Sequence, residues 1–293
     1  MNSLIFKKSN SSDATVVRGS SVPYISFKAL ENSGLVLNGF STRLGGVSEG
    51  YLSSLNLGFG RGESDENVLE NFRRIGESIG FDYRKLVAAQ QTHTTNLRLV
   101  GTEDAGKGIV RPRDYENIDG LVTDVPGLPL VTFFADCVPL YFLDPVKKAI
   151  GLSHSGWRGT AGKIGAKTVR FMQEKFGSRA EDIIACIGPS ICRDCYEVST
   201  DVAEEFIKAF DIKEELQNHP DNIKGKILYR KDNGKFLLDL RNACRAGLLE
   251  AGLRNENIHN ADICTCCNRE LLYSHRGSNG KRGSLAAFLM LKE

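Results

Sequence analysis

Three residues of this chain could do chemistry together: His93, Cys137 and His154. Each stands where an apolar run ends, in Gln90-Gln-Thr-His-Thr-Thr-Asn, Phe133-Phe-Ala-Asp-Cys-Val-Pro-Leu and Gly151-Leu-Ser-His-Ser-Gly-Trp-Arg-Gly. Taken singly, such residues read as a buried thiol and core histidines. At strand ends, beside the single Trp and a Gly-rich turn, they read as parts of a site. Two imidazoles and a thiolate suit zinc, and three protein ligands leave a fourth position for water or substrate, the pattern of a catalytic centre. No local signature joins them, so their meeting in space is an expectation about the fold. The same Cys137 and His154 could instead form a nucleophile and base without metal.

Other groups could bind substrate. Phe40-Ser-Thr-Arg43-Leu-Gly-Gly turns an apolar run into a loop that presents Arg43, a group suited to bidentate contact with phosphate or carboxylate. Asn56 offers amide donors and acceptors in Ser54-Leu-Asn-Leu-Gly, and Arg276 lies in Tyr273-Ser-His-Arg-Gly. Arg158, Gly159 and Lys163 surround an expected helix start at Thr160, where free amides and the helix dipole would favour an anion. Cys192 and Cys195 have zinc-ligand spacing, and Cys264-Thr-Cys266-Cys267 could complete four thiolates. The second cluster is read as lacking that spacing, and a chain this large need not fold around a metal, so reduced thiols are expected.

The elements that must position these groups follow from pattern. Leu4 to Phe6, Ala14 to Arg18, Tyr24 to Phe27 and Leu35 to Phe40 favour short antiparallel strands. Ser64 caps a helix through Val68, Phe72, Ile75 and Ile79 that Gly80 stops. Runs from 128 to 134 and 140 to 143 are almost wholly apolar, as in strands covered on both faces. Helices are expected at roughly 160 to 176, 201 to 210 and 239 to 250, a polar excursion at 211 to 235, and a closing strand from Leu285 to Leu291. The 293 residues and a formal charge of +2, with both signs interspersed, suggest no affinity for nucleic acid or anionic membrane. No apolar run approaches the roughly 20 residues that span a bilayer, and the first residues lack a signal-peptide pattern. A cytoplasmic protein acting on small molecules is expected.

Gly39-Phe-Ser-Thr-Arg-Leu-Gly-Gly-Val-Ser, Ser54-Leu-Asn-Leu-Gly, Gln91-Thr-His, Asp119-Gly-Leu-Val-Thr, Ala135-Asp-Cys-Val-Pro-Leu, His154-Ser-Gly-Trp-Arg-Gly, Gly188-Pro-Ser-Ile and Cys195-Tyr-Glu-Val occur in the order found in the YfiH-like family, which the chain resembles over nearly its whole length. That family is labelled multicopper polyphenol oxidoreductase, or laccase, and includes purine nucleoside phosphorylases. The resemblance implies a single catalytic domain over residues 1–293. Its fold would be α/β, with packed mixed β-sheets flanked by helices, similar to the catalytic domain of the cytotoxic necrotising factor toxins. It implies that His93, Cys137 and His154 bind the metal, zinc or possibly copper. It further implies phosphorolysis of adenosine, inosine, guanosine and methylthioadenosine with phosphate as co-substrate, together with adenosine deamination. Charge and position assign the phosphate to Arg43 and Arg158. A peptidoglycan-editing amidase using Cys137 and His154, or a copper-binding polyphenol oxidase, are the alternatives. Four-copper oxidation fits poorly, because the whole chain has five histidines. Two motifs depart from the family: Ser155 replaces an alanine, and Ser274-His-Arg-Gly replaces a Ser-Tyr-Arg-Arg run.

Overall fold

A computed structural model describes residues 4–7, 13–213 and 223–293. Two six-stranded sheets pack face to face, and helices cover both outer faces. The first sheet runs, from edge to edge, Thr15–Arg18, Tyr24–Phe27, Val36–Ser41, Leu285–Leu291, Leu130–Phe134 and Val87–Ala88. Only its last pairing is parallel. The second runs Ile258–Asn260, Ile184–Ile187, Val138–Asp144, Ala149–Ser155, Gly120–Thr123 and Leu97–Leu99, antiparallel in the middle and parallel at both edges. This is the expected mixed α/β fold.

Side-chain alternation explains the nearly continuous apolar runs. In Val138–Asp144, Tyr141 and Leu143 point between the sheets, whereas Leu140 and Phe142 point towards the helices Ile164–Phe176, Thr200–Phe210 and Leu240–Glu250. In Leu285–Leu291, the odd-numbered residues face the inter-sheet core, and Ala286 and Phe288 meet Phe72 and Ile75 of the helix Asp65–Ile79. The Tyr141 hydroxyl donates to the carbonyl oxygen of Gly39 at 2.9 Å, tying one sheet to the other. The Ser64 cap is present, its hydroxyl accepting from the Asn67 amide, and Gly80 ends that helix at φ 105°.

Several local expectations give way. Leu4 to Phe6 form no strand; the adjoining Lys7 backbone pairs with the Asn268 side chain. A short helix, Lys28–Asn32, follows the second strand. Thr160 is not a cap: it lies inside the five-residue helix Trp157–Ala161, and Lys163, at φ 56°, breaks the chain before Ile164–Phe176 begins. The excursion from 211 to 235 contains the strand Leu228–Arg230, which joins Phe236–Leu238 and Glu197–Val198 in a small sheet; its residues 214–222 lie outside the described ones. Among the described residues no helix is long and apolar enough to cross a membrane.

Candidate active site

The fold brings His93, Cys137 and His154 together. One ligand atom from each lies within 4.8 Å of the others, and Cys137 Sγ stands 3.9 Å from His93 Nε2. Bond lengths of about 2.3 Å to sulfur and about 2.0 Å to nitrogen put tetrahedral ligands roughly 3.5 Å apart, so the donor set fits one ion after a small contraction. His154 is the penultimate residue of the strand Ala149–Ser155, Cys137 precedes Val138–Asp144, and the two strands pair in register there. His93 reaches in from a loop at φ 65°, and Gly156 makes room for it: a Cβ at Gly156 would meet the His93 ring at 2.6 Å.

Asp119 organises this cluster. It is fully buried, and its carboxylate accepts from the backbone amides of Thr92, His93 and Thr94 and from the Thr94 hydroxyl. It also lies 2.8 Å from His154 Nδ1. One side chain therefore fixes the His93 loop and holds the His154 ring with its Nε2 left for the cluster. Burial alone would raise the Asp119 carboxyl, but the His154 contact and these amides hold it below the usual range. For Cys137, desolvation opposes ionisation, yet the charge and hydrogen bonding of His154, with help from His93, bring the thiol down to about 6. Desolvation likewise opposes charge on His154, and Cys137 and Asp119 outweigh it to raise the imidazole to about 9.

The three groups line a cleft of about 660 Å³ that also contains Arg61, Arg276, Arg282, Tyr196 and Ser284. Arg282 and Arg61 converge on the Ser284 hydroxyl, at 3.2 and 2.9 Å, and among the described residues neither forms an ion pair with a carboxylate. Arg282 Nε is buried without a partner, and burial with the adjacent Arg61 charge lowers this guanidinium to about 10. Asp136, at φ 91°, accepts the Thr265 hydroxyl at 2.7 Å and the Arg276 amide at 2.7 Å, fastening the C-terminal loops beside Cys137.

The residues expected to hold phosphate separate. Arg276 lines the cleft, its guanidinium donating to the Glu197 carbonyl oxygen. Arg43 does not line it: the guanidinium donates to the carbonyl oxygens of Ser53 and Arg269 and lies over the Tyr273 ring at 4.6 Å. Arg158 also lies outside the residues that line the cleft, stacked on Trp157 at 4.1 Å in the first turn of Trp157–Ala161. Asn56 is fully buried and acts as a staple, donating to Gly58 and Glu63 and accepting from the amides of Gly58 and Ser284. Arg61 and Arg282 escape sequence reasoning, being 221 positions apart with no shared motif; Ser54-Leu-Asn-Leu-Gly was the available signal, since Asn56 is what joins their loops. Asp119 stood within a conspicuous motif, but nothing in sequence showed which histidine it would meet.

A family model described as multi-copper polyphenol oxidoreductase laccase matches residues 37–292. A protein of Bacillus subtilis named purine nucleoside phosphorylase YlmD is 37% identical over 267 residues, covering 90% of this chain and 91% of the relative. Another relative, named adenosine deaminase RL5, from an unknown prokaryotic organism, is 32% identical, covering 81% of this chain and 87% of its own. The solved structure of the Bacillus licheniformis hypothetical protein YfiH superposes with a TM-score of 0.83 at 34% identity, covering 93% of this chain and 97% of that one. With motifs, fold and length all in agreement, the chain belongs to the multi-copper polyphenol oxidoreductase laccase family, the YfiH-like proteins whose members include purine nucleoside phosphorylases.

Proposed function

We propose that residues 1–293 act as one catalytic unit, a zinc-dependent purine nucleoside phosphorylase that also deaminates adenosine. The observation that carries this reading is the meeting, in one cleft, of a convergent His, Cys, His donor set with two guanidinium groups that form no ion pair with a carboxylate among the described residues. Phosphorolysis joins a phosphate oxygen to the ribose carbon as its bond to the purine breaks, and the departing base takes up a proton. Arg61 and Arg282, with the Ser284 hydroxyl between them, suit a phosphate dianion, since charge-assisted donors fixed beforehand favour an anion most where water is scarce. Arg276 extends the same positive wall. Phe59, Phe133 and Tyr196 give a planar base apolar surface. His93, Cys137 and His154 would hold the ion, which supplies Lewis acidity beside the bound nucleoside. Zinc suits this mixed nitrogen and sulfur set; copper is the competitor, because two imidazoles and a thiolate also suit a copper site. In the deamination, water replaces the 6-amino group, leaving inosine and ammonia.

Incubating the purified protein with inosine, with and without phosphate, tests this directly. Hypoxanthine and ribose 1-phosphate should form only when phosphate is present, and adenosine should yield inosine in either case. Failure to release base under phosphate, in protein carrying its metal, would remove the phosphorylase reading. A second reading, a Cys-His amidase acting on a peptidoglycan precursor, draws support from the thiolate-imidazolium character of Cys137 and His154. It requires a free thiol, so near-stoichiometric metal lost on Cys137→Ala would count against it.

A further inference from the structure

The four cysteines set aside as reduced thiols converge elsewhere. Cys192, Cys195, Cys264 and Cys267 each offer a sulfur, and all four lie within 4.8 Å of one another. Their order in the chain is two Cys-x-x-Cys pairs: Cys264 and Cys267 have that spacing once the intervening Cys266 is passed over. The expectation that the second cluster lacked it is corrected here.

Geometry distinguishes this cluster from a disulfide pair. Cys195 Sγ and Cys267 Sγ are 3.6 Å apart, against about 2.05 Å for a bonded pair. Tetrahedral sulfur ligands at about 2.3 Å from zinc would stand about 3.8 Å from one another, close to the separation observed. The backbone supports thiolates as well: Cys264 Sγ accepts from the amides of Cys192 at 3.2 Å and Cys267 at 3.4 Å. Amides aimed at sulfur stabilise the negative charge that a metal-bound thiolate retains. The two pairs are brought opposite each other by the Ser190 to Cys264 bridge, where the Thr265 amide donates to Ser190 at 3.2 Å. Cys266 is not one of the four.

We infer that Cys192, Cys195, Cys264 and Cys267 bind one zinc ion in a closed, four-thiolate structural site, distinct from the His93, Cys137, His154 cluster. Four sulfurs leave no position for water or substrate, so the site has no catalytic task. Its place explains what it does. The pair at 192–195 runs directly into Tyr196, and the pair at 264–267 contains Thr265, whose hydroxyl holds Asp136 next to Cys137. The ion thus pins the two loops that form one wall of the cleft. This inference does not depend on which reaction the cleft performs.

The test separates the two sites. A Cys137→Ala/His154→Ala variant, purified under reducing conditions, should retain about one equivalent of zinc by elemental analysis. After cobalt replacement it should show the intense sulfur-to-cobalt charge transfer and ligand-field bands of a four-sulfur tetrahedral centre. Cys267→Ser, altering the most exposed of the four, should lose that equivalent, and Cys266→Ser should keep it. Cys267→His, able to restore a fourth ligand, should regain metal. Absence of metal from the Cys137→Ala/His154→Ala variant, an iron chromophore in place of zinc, or disulfides found by alkylation and mass analysis would each overturn the inference. Since that readout uses the intact cluster, it does not depend on the cysteine variants folding.

Discussion

Asp119 shows how much of a site can rest on one carboxylate. It spends four hydrogen bonds on the loop carrying His93 and another contact on His154 Nδ1, so removing its charge would disturb both imidazoles. Asp119→Asn can keep the volume but offers an N–H where the ring needs an acceptor, favouring the wrong tautomer. Metal affinity, read by competition with a chromophoric chelator, should fall roughly 10- to 100-fold, the usual cost of losing a partner that orients a ligand; unchanged affinity would show that Asp119 only shapes the loop. The metal-free protein offers a second check at this scale. A thiol lowered to about 6 ionises as pH rises past that value, and an imidazole raised to about 9 loses its proton only near that pH. The His154 contribution to stability is therefore full below the ordinary histidine value and lost as pH rises through about 9. That of Cys137 is full above the ordinary thiol value and lost as pH falls through about 6. The ion pair itself spans about pH 6 to 9. Thiolate absorbance at 240 nm, wild type minus Cys137→Ala, should rise with a midpoint near 6; a midpoint at an ordinary cysteine value would refute the pair.

At the scale of elements, the parts legible in sequence were those that burial on both faces writes as long apolar runs. The strands Leu130–Phe134 and Val138–Asp144, and the helix capped by Ser64, fall where pattern placed them because sheet, helix and core all demand the same residues. The convergence of the candidate ligands was legible for a related reason: His93, Cys137 and His154 interrupt apolar runs near positions where strands must end. For the arginines expected to hold phosphate, sequence gives the residue type and not the surroundings. Arg43 looks free in sequence, but carbonyl oxygens from segments over 200 residues apart claim its donors. Arg158 looks like a group before a helix start at Thr160, but the helix begins at Trp157 and the Arg158 guanidinium stacks on the Trp157 ring. Pairing between sheets leaves even less trace in sequence. The Tyr141 hydroxyl, buried between the sheets, finds the Gly39 carbonyl oxygen at 2.9 Å. Tyr141→Phe should cost about 0.5 to 1.5 kcal/mol, the net worth of one hydrogen bond, while keeping the ring. A denaturant melt with unchanged slope would measure it, and no loss would mean that this bond does not hold the sheets together.

Across the whole molecule, the cleft is assembled from segments spread from Leu57 to Ser284, so its charge distribution depends on which loops the chain closes against each other. The Leu57 amide donates to the Ser284 carbonyl oxygen at 3.0 Å and Asn56 accepts the Ser284 amide at 2.9 Å, which sets Arg61 beside Arg282. Arg43 secures a neighbouring loop without facing the cleft. These two kinds of arginine predict opposite phenotypes. Arg282→Gln should raise KM for phosphate by about 10-fold or more, in line with the roughly 1.5 to 3 kcal/mol of a hydrogen bond to a charged group, and should leave binding of the nucleoside nearly unchanged. Because burial and the adjacent Arg61 charge disfavour the charged Arg282 guanidinium, the same variant should hold or gain thermal stability. Arg43→Ala should lower the melting temperature, through lost bonds to Ser53 and Arg269, and alter KM for phosphate little. Steady-state kinetics with phosphate varied at saturating inosine, paired with thermal melts of both variants, decides the matter. If Arg43→Ala rather than Arg282→Gln weakened phosphate, the anion would have to bind outside this cleft, and the proposed union of metal ligands and phosphate seat would fail.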